Sequence, residues 1–270
     1  MKAALLLFSD AKLPTLQMPD DTAFGGMAAR FPQTRWSAIV AARSDDPAER
    51  SRALEIIAAS YWKPVYKYIR LRWNRSSDDA QDLTQEFFSR LIEKSFLDSY
   101  DPAKARLRTF LRVCIDGLVQ NEDKAARRLK RGGDALILSL DFETAEGELR
   151  RIDPPAPGSL DDFFEREWIR SFFSLAVEAL RATCDAHGKS VHFRLFELYD
   201  LGDDSASRLT YDDLARQFGL SATDVTNYLA FARREFRRIA LAKLREMTAS
   251  DDEFRREARS LFGFDPGDAA

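Results

Sequence analysis

The sequence predicts an all-α protein with two helical domains, joined by an acidic linker that contains proline and glycine, and a helix-turn-helix near the C-terminus. Apolar side chains recur every three or four positions in successive segments, which is the spacing of one helix face. Cap residues on either side of a tight turn indicate the helix-turn-helix. The segment DPPAPGS at 153–159 interrupts the pattern, because proline at this density excludes a helix and marks a domain boundary.

With 270 residues, the chain has room for two domains that each bury a core. The predicted parts are an irregular N-terminal tail at 1–30, a helical domain at 31–131, a linker at 132–159, a helix-turn-helix domain at 160–247, and a C-terminal tail with one short helix at 248–270. Before the helix-turn-helix, helices are predicted at 48–73, 78–94, 107–129, 160–184 and 191–199. Pro64 should kink or divide the first of these, because proline lacks the N–H that a helix interior needs.

Residues 209–244 read as two helices separated by a tight turn. Thr210 is a suitable N-cap for the first helix. Gly219 stands where the chain must leave that helix, since glycine takes the left-handed conformation at little steric cost. Ser221 then caps the second helix, with Asp224 three residues later in a weak version of the capping box.

The second of these helices has one apolar and one polar face. The predicted buried stripe consists of Val225, Leu229, Ala232, Phe236 and Ile239. The opposite face holds Thr223, Thr226, Asn227, Ala230, Arg233, Arg234, Arg237 and Arg238. Small polar groups followed by arginines suit a helix whose start reads base edges while its later turns hold phosphates. The alternative is an ordinary helical hairpin with solvated arginines.

Charge is distributed in zones along the chain. The formal net charge is −3, so a nucleic-acid role must come from local patches. Residues 104–131 carry a net charge of +6 and residues 222–245 carry +4, whereas 78–101 carry −5 and 134–167 carry −7. This pattern indicates contact with nucleic acid in two places and with a basic partner elsewhere.

The first acidic zone contains a helix with Asp79, Asp82 and Glu86 on one face. Such a face is either solvated or meets a basic partner surface. Phe87 and Phe88 are adjacent and cannot both point inward equally, which favours a protein contact.

The first basic zone mixes aromatic and cationic residues. Tyr100 lies beside Lys104, Arg106 and Arg108, and the following helix carries further cations. This combination suits single-stranded nucleic acid, because rings stack on bases while cations follow the backbone. The alternative is that Tyr100 packs on its own loop and the cations are surface residues.

The sequence offers no enzyme, cofactor or metal site. It has no phosphate-binding glycine motif and no plausible catalytic triad. Cys114 and Cys184 are expected to be buried thiols, and two histidines cannot assemble a zinc site. The apolar run near the start is too short for a signal peptide, and no stretch reaches membrane-spanning length, so we expect a cytoplasmic protein that does not enter the membrane.

Together these segments resemble one protein family, the bacterial RNA polymerase sigma factors of the sigma-70 family, in the small extracytoplasmic-function form. The resemblance rests on YWKPVYKYIR at 61–70, DDAQDLTQEFFSRLIEK at 78–94, RLRTFLRVCIDGLVQNEDKAARRLKRGG at 106–133 and the helix-turn-helix. It covers most of residues 31–247 and implies core RNA polymerase and promoter DNA as partners.

The resemblance also implies a role for each segment. Core polymerase would be bound by Asp79, Asp82, Gln85, Glu86 and Phe87. The single-stranded −10 element would be melted and held by Tyr100, Lys104, Arg106, Arg108, Arg112, Asn121, Lys124, Arg127 and Arg128. The double-stranded −35 element would be read by Ser221, Thr223, Thr226, Asn227, Arg233, Arg234 and Arg237. The acidic linker would imitate RNA and run through the basic RNA-exit path of the polymerase.

Several positions depart from the family pattern. Gln81 stands where the family usually has an acid, Ala105 to Leu107 replace a Gly-x-Phe motif, and Asp116 with Gly117 replaces an Arg-Asn pair. Phosphorylation of Thr84 would restore negative charge to the acidic helix. Control by a kinase or by an anti-sigma factor stays open.

The sequence therefore predicts a transcription initiation factor that binds core polymerase, melts the −10 element and reads the −35 element. Two alternatives remain, a stand-alone helix-turn-helix regulator and an all-α adaptor without a nucleic-acid role. Association with core polymerase separates the first from the others.

Overall fold

The computed structural model of the chain describes residues 37–92, 96–125, 140–152, 159–202 and 209–266, with the backbone alone at 92 and 122–125. Within these ranges the chain forms α-helices and one short 3-10 helix, and no strand. The all-α prediction is confirmed. The predicted tail at 1–30 and much of the predicted linker lie outside the described residues.

The helices follow one another closely along the chain. The N-terminal ones are α1 (Ala38–Ala41), α2 (Pro47–Arg72), α3 (Ser77–Ile92), a 3-10 helix (Phe96–Ser99), α4 (Leu107–Ala125) and α5 (Phe142–Leu149). The later ones are α6 (Leu160–Ala186), α7 (Ser190–Asp200), α8 (Tyr211–Phe218), α9 (Ala222–Glu246) and α10 (Asp251–Phe262).

The chain divides into two compact units. As far as they are described, the first contains residues 37–172 and 246–253, and the second contains residues 173–245 and 254–266. No helix in the described residues is long and apolar enough to cross a membrane.

Helix α2 is the centre of the first unit and packs against α1, α3, α4 and α5. It begins at an N-cap, Asp46, whose side chain accepts from the backbone N–H of Ala48, and proline occupies its first position, where no N–H is needed. Its buried residues include Ile57, Tyr61 and Val65. The helix continues through Pro64, so the prediction that this proline divides it is wrong.

Helix α5 lies inside the predicted linker at 132–159. Asp141 caps it, and Phe142, Ala145 and Leu149 are buried. The Phe142 ring contacts Tyr66 of α2 at a centroid distance of 5.1 Å. This part of the linker is therefore a helix docked on α2 and not an extended tether.

The carboxylates of α5 explain its docking. Glu146 accepts from Arg70 at 2.7 Å and from the Tyr66 hydroxyl at 2.7 Å. The hydrogen bond from Arg70 is the main reason that the pKa of Glu146 falls to about 2. Glu148 binds Lys63 and Lys67, each at 2.7 Å. Two acids that the sequence assigned to an RNA-like linker, Glu146 and Glu148, are thus paired with cations of α2.

The start of α6 also belongs to the first unit, although we predicted a second domain that begins at 160. Trp168 is buried and stacks on Tyr61 at 5.9 Å. Glu167 and Lys67, both buried, form an ion pair at 2.6 Å. A buried lysine needs a carboxylate partner. A local sequence pattern cannot predict this partner, because Glu167 lies a hundred positions from Lys67.

The second unit has an aromatic core. The Phe236 ring of α9 packs against Phe196 of α7 and Phe173 of α6, at 5.3 and 6.3 Å. Cys184 is buried there, whereas Cys114 is half-buried in the first unit. Both thiols are free, but only Cys184 is fully buried as predicted. Partial burial raises the pKa of Cys114 to about 11.

Candidate nucleic-acid interfaces

The helix-turn-helix forms with the predicted local geometry. At the start of α8, Thr210 Oγ1 accepts from the Asp213 N–H at 3.2 Å, and the Asp213 carboxylate accepts from the Thr210 N–H at 3.0 Å. Gly219 ends the helix at φ 66° and ψ 36°, in the left-handed region. The following amide, from Leu220, closes the turn on the Ala215 carbonyl at 2.9 Å.

The second helix, α9, begins in the same way. The Asp224 N–H donates to Ser221 Oγ at 3.1 Å, and the Ser221 N–H donates to the Asp224 carboxylate at 3.2 Å. A full capping box therefore holds the helix start, where the sequence suggested a weak one. The predicted stripe is buried as expected, at Val225, Leu229, Ala232, Phe236 and Ile239.

The first turns of α9 leave their polar side chains open to solvent. Ser221, Thr223 and Asn227 are exposed, whereas Thr226 is half-buried and donates to the Ala222 carbonyl at 2.9 Å. Further along the helix Arg234 is exposed and Arg237 is half-buried. The start of α9 thus presents small polar groups and the next turns present cations.

Arg233 differs from the other predicted −35 contacts. Its side chain is 14% exposed, and its Nε and one Nη each donate to the Asp200 carboxylate at 3.0 Å. The guanidinium also lies over the Tyr199 ring, 5.5 Å from the centroid. Arg233 joins α9 to the end of α7, so the assignment of this side chain to DNA is corrected to a structural role.

Tyr100 is buried in the first unit. Its residue is 3% exposed, and its hydroxyl donates to Glu253 Oε1 at 2.5 Å. Its ring contacts Phe110 at 5.3 Å. Arg43 holds the backbone of this loop, because its guanidinium donates hydrogen bonds to the Leu97 and Tyr100 carbonyls at 2.6 and 2.8 Å. In this conformation the ring that we predicted to stack on a base is covered.

The cations that follow Tyr100 meet acids at the start of α6. Glu165 accepts from Arg106 at 3.1 Å and from Arg108 at 2.8 Å. Asp161, one helical turn earlier, pairs with Arg112. Lys104 differs from these arginines, because its side chain is 83% exposed.

Arg108 is the most deeply placed of these cations. Its residue is 3% exposed and its guanidinium lies 4.5 Å from the centroid of the Trp168 ring. Its role in this conformation is therefore structural. Asn121 is exposed on α4, whereas the side chain of Lys124 and the whole of Arg127 and Arg128 lie outside the described part of the chain.

Asp116, which departs from the family pattern, has a clear structural use. Its Oδ1 accepts from the Tyr68 hydroxyl and from the Trp73 indole N–H, both at 3.1 Å. Burial raises the pKa of Tyr68, and the neighbouring Asp116 raises it further. The carboxylate therefore joins α4 to α2.

The predicted polymerase-binding face lies on α3. Asp79 and Asp82 are exposed, and Gln85 is half-buried. Glu86 is 40% exposed and forms an ion pair with Arg90 at 2.5 Å. The carboxylates of this face are therefore available to a basic partner, with Glu86 shared with its own helix.

Phe87 is not on that face. It is 1% exposed, and its ring contacts Phe88 at 5.2 Å and Phe96 at 5.9 Å. Phe88 is equally buried, so the inference of a protein contact from this pair is wrong. Both rings find cover because α3 packs against α2, the 3-10 helix and α4 at once.

Thr84 is fully buried, and its hydroxyl donates to the Ala80 carbonyl at 2.6 Å. A kinase has no access to this hydroxyl while α3 is packed.

The residues that the sequence did not single out are the partners of the basic zone, Asp161, Glu165 and Glu253. In the sequence, two acids spaced one helical turn apart on α6 were the only pattern that could have indicated partners for these cations.

One family model matches part of the chain. Residues 58–131 match the family described as sigma-70 region 2. The range covers most of α2, all of α3 and α4, and the loop that holds Tyr100. The chain has no match among curated proteins or among solved structures. The helix-turn-helix lies outside the matched range.

Proposed function

We propose that this chain, whose residues 58–131 match sigma-70 region 2, is a transcription initiation factor of the sigma-70 family. It would direct core RNA polymerase to one class of promoter by melting the −10 element and reading the −35 element. The observation that carries this proposal is the occurrence of a region 2 and a fully capped helix-turn-helix in one chain. The small extracytoplasmic-function form of the family is part of the proposal.

Core polymerase would bind the exposed carboxylates of α3. Asp79 and Asp82 lie on its surface, and Glu86 stands one turn beyond Asp82. Phe87 supports this face from the core and would not touch the partner. A carboxylate face of this kind attracts a basic partner surface and sets its orientation.

The test is co-purification with core enzyme, followed by run-off transcription on genomic fragments. We expect Asp82→Lys to weaken core association about tenfold or more, because a like charge then faces the basic partner. Glu55→Lys, an equal charge change at an exposed site on α2, is the matched control. Equal effects of the two variants would remove the α3 assignment. A wild-type chain that neither associates with core nor starts transcription would overturn the function as a whole.

The −35 element would be read by the start of α9 in the major groove. Thr223 and Asn227 are exposed near the N-terminus of this helix, which is the end that contacts base edges in helix-turn-helix proteins. Asparagine can make two hydrogen bonds to adenine. Arg234 and Arg237 would hold phosphates. Asn227→Ala should relax sequence preference at one position, whereas Arg234→Ala should weaken binding uniformly and lower the salt slope by about one.

Melting of the −10 element would use the loop after the 3-10 helix and the outer side of α4. Lys104 and Asn121 are already exposed, and Arg106 and Arg112 are bound to acids of α6. Tyr100 can stack on a base only after its hydrogen bond to Glu253 breaks. Strand binding therefore requires a rearrangement of these contacts.

The linker would enter the RNA-exit path of the polymerase. For this, α5 has to leave α2, because its carboxylates are bound there to Lys63, Lys67 and Arg70.

A stand-alone regulator is the second candidate function, and the complete helix-turn-helix supports it as well as it supports an initiation factor. Specific duplex binding that core enzyme does not alter would support the regulator.

A further inference from the structure

Three carboxylates of the first unit bind the residues that are proposed to hold the melted strand. Asp161 binds Arg112, Glu165 binds Arg106 and Arg108, and Glu253 binds the Tyr100 hydroxyl. The acids come from two separate parts of the chain, the start of α6 and the start of α10. All the contacts are made to residues between Tyr100 and Arg112.

We propose that the free chain inhibits itself, with these carboxylates in the places that the phosphates and a base of the −10 strand would take. The inference rests on the proposed function, since it requires that the covered surface binds single-stranded DNA. It adds a competition within one molecule, in which the strand can bind only after the start of α6 and Glu253 have left.

The α6 contacts have the properties of a displaceable cover. Asp161 and Glu165 are four residues apart, about 6 Å along the helix axis, so one short segment pairs with three arginines. The side chains of Asp161, Glu165 and Arg106 are 62%, 40% and 42% exposed. Ion pairs this open to solvent are weak and salt-sensitive, so a polyanion can replace them.

Arg108 has a different role in the same cluster. It is buried, and it lies against Trp168 as well as Glu165. We therefore expect Arg108 to position the start of α6, while Arg106 and Arg112 exchange partners. Glu165 therefore pairs with two arginines of different roles, the half-buried Arg106 and the buried Arg108.

The Tyr100 contact covers the site for a base. Glu253 is buried, and its second oxygen accepts from the Ala249 N–H at 2.6 Å, which orients the carboxylate toward the ring. Tyr100 is 3% exposed, with the Glu253 carboxylate at its hydroxyl and the Phe110 ring beside it, so a base cannot reach the ring in this conformation. Release of Glu253 is therefore needed for base capture, independently of the α6 contacts.

The experiment uses the full chain without polymerase and measures its affinity for two labelled 20-nucleotide probes, a mixed-sequence DNA strand and an abasic strand of the same length. Asp161→Asn with Glu165→Gln should raise the affinity for both probes about tenfold, because the released arginines bind phosphate. Glu253→Ala, which removes the partner of the Tyr100 hydroxyl, should raise the affinity for the strand with bases about three- to tenfold and leave the abasic probe unchanged, because stacking needs bases.

The matched control is Asp162→Asn with Glu178→Gln, which removes the same charge from exposed sites on α6. A gain equal to that of the control would overturn the proposal, since it would reflect net charge alone. Adding Arg112→Ala to the released variant should abolish most of its gain. Urea unfolding midpoints of all variants show that each one is folded.

Failure of the inference and failure of the proposed function give different results. If the released variant gains no affinity while transcription by the polymerase complex still depends on Arg106 and Arg112, self-inhibition is wrong and the −10 assignment stands. If Arg112→Ala changes neither strand binding by the released variant nor transcription, the −10 assignment is wrong, and the inference falls with it.

Discussion

Arg233 and its neighbour Arg234 look alike in the sequence and differ in the fold. Arg233 is directed at Asp200, which is buried at the end of α7, whereas Arg234 is exposed. Arginine with two parallel hydrogen bonds to one carboxylate is among the strongest pairings that a protein can form. Two adjacent cations on one helix therefore have separate roles, one in stability and one at the surface.

Arg233→Ala should lower the free energy of unfolding by about 3 kcal/mol, because it leaves the buried Asp200 without its counter-charge. Arg234→Ala should change it by less than about 0.5 kcal/mol. Urea unfolding followed by circular dichroism measures both. Removing the two partners together, with Asp200→Ala, should cost less than Arg233→Ala alone. A loss from Arg233→Ala no larger than that from Arg234→Ala would contradict the structural role.

Glu146 makes stability depend on pH in a defined direction. Its pKa falls from 4.5 to about 2 in the folded chain, mainly through the hydrogen bond from Arg70. A carboxylate with a lowered pKa stabilises the fold fully above 4.5, and this contribution is lost as the pH falls toward 2. The ion pair between α5 and α2 should therefore weaken in acid.

We expect Glu146→Gln to be less stable than the wild type by about 1 to 2 kcal/mol near neutral pH, allowing for solvent screening. The difference should shrink as the pH is lowered from about 4.5 toward about 2, since the carboxylate is protonated first in the unfolded chain and in the folded chain only near pH 2. Glu143→Gln, at an exposed position of the same helix, is the control and should behave like the wild type. A difference that is constant across this pH range would rule out the proposed linkage.

At the scale of helices and turns, Gly219 allows a direct test of the helix-turn-helix. It adopts φ 66°, and a Cβ placed there would meet no atom within 4 Å. Gly219→Ala should therefore cost about 1 to 2 kcal/mol for conformational reasons alone. Gly117 lies within α4, has equally free space and should gain up to about 1 kcal/mol as alanine. Thermal unfolding of the two variants should shift in opposite directions, and shifts of the same sign would contradict this account.

The turn between α8 and α9 was predictable because all its determinants are local. Thr210 and Asp213 are three residues apart, as are Ser221 and Asp224, and each pair closes its own hydrogen bonds. The buried stripe of α9 follows from helical spacing alone. Such elements need no knowledge of the rest of the chain.

The covered surface was not predictable in this way. Tyr100 and Glu253 are 153 positions apart, and Arg106 and Glu165 are 59 positions apart. The sequence shows cations and aromatic rings suited to nucleic acid, but it does not show which acids of the same chain reach them first. The docking of α5 was missed for the same reason, since its acids resemble those of a solvated linker.

For the whole molecule, two of the four charge zones contact each other within the first unit. The acidic zone at 134–167 and the basic zone at 104–131 have net charges of −7 and +6, and described ion pairs join them at Arg106, Arg108 and Arg112. In the self-inhibition that we propose, a stronger polyanion or a partner would replace the acids that bind Arg106, Arg108 and Arg112. Binding to polymerase and binding to DNA would then each require ion pairs within the chain to break.

The docking of α5 on α2 should oppose the binding of core polymerase, because the proposed path of the linker requires α5 to leave. Glu148→Gln removes the carboxylate that holds Lys63 and Lys67, while Lys67 keeps its pair with Glu167 and the fold is retained. A ligand that binds the undocked state gains affinity in proportion to the population of that state. We expect core affinity to rise about three- to tenfold in a titration of labelled chain, with Glu143→Gln unchanged. Unchanged or weaker binding by Glu148→Gln would mean that α5 stays on α2 in the complex and that the linker takes another path.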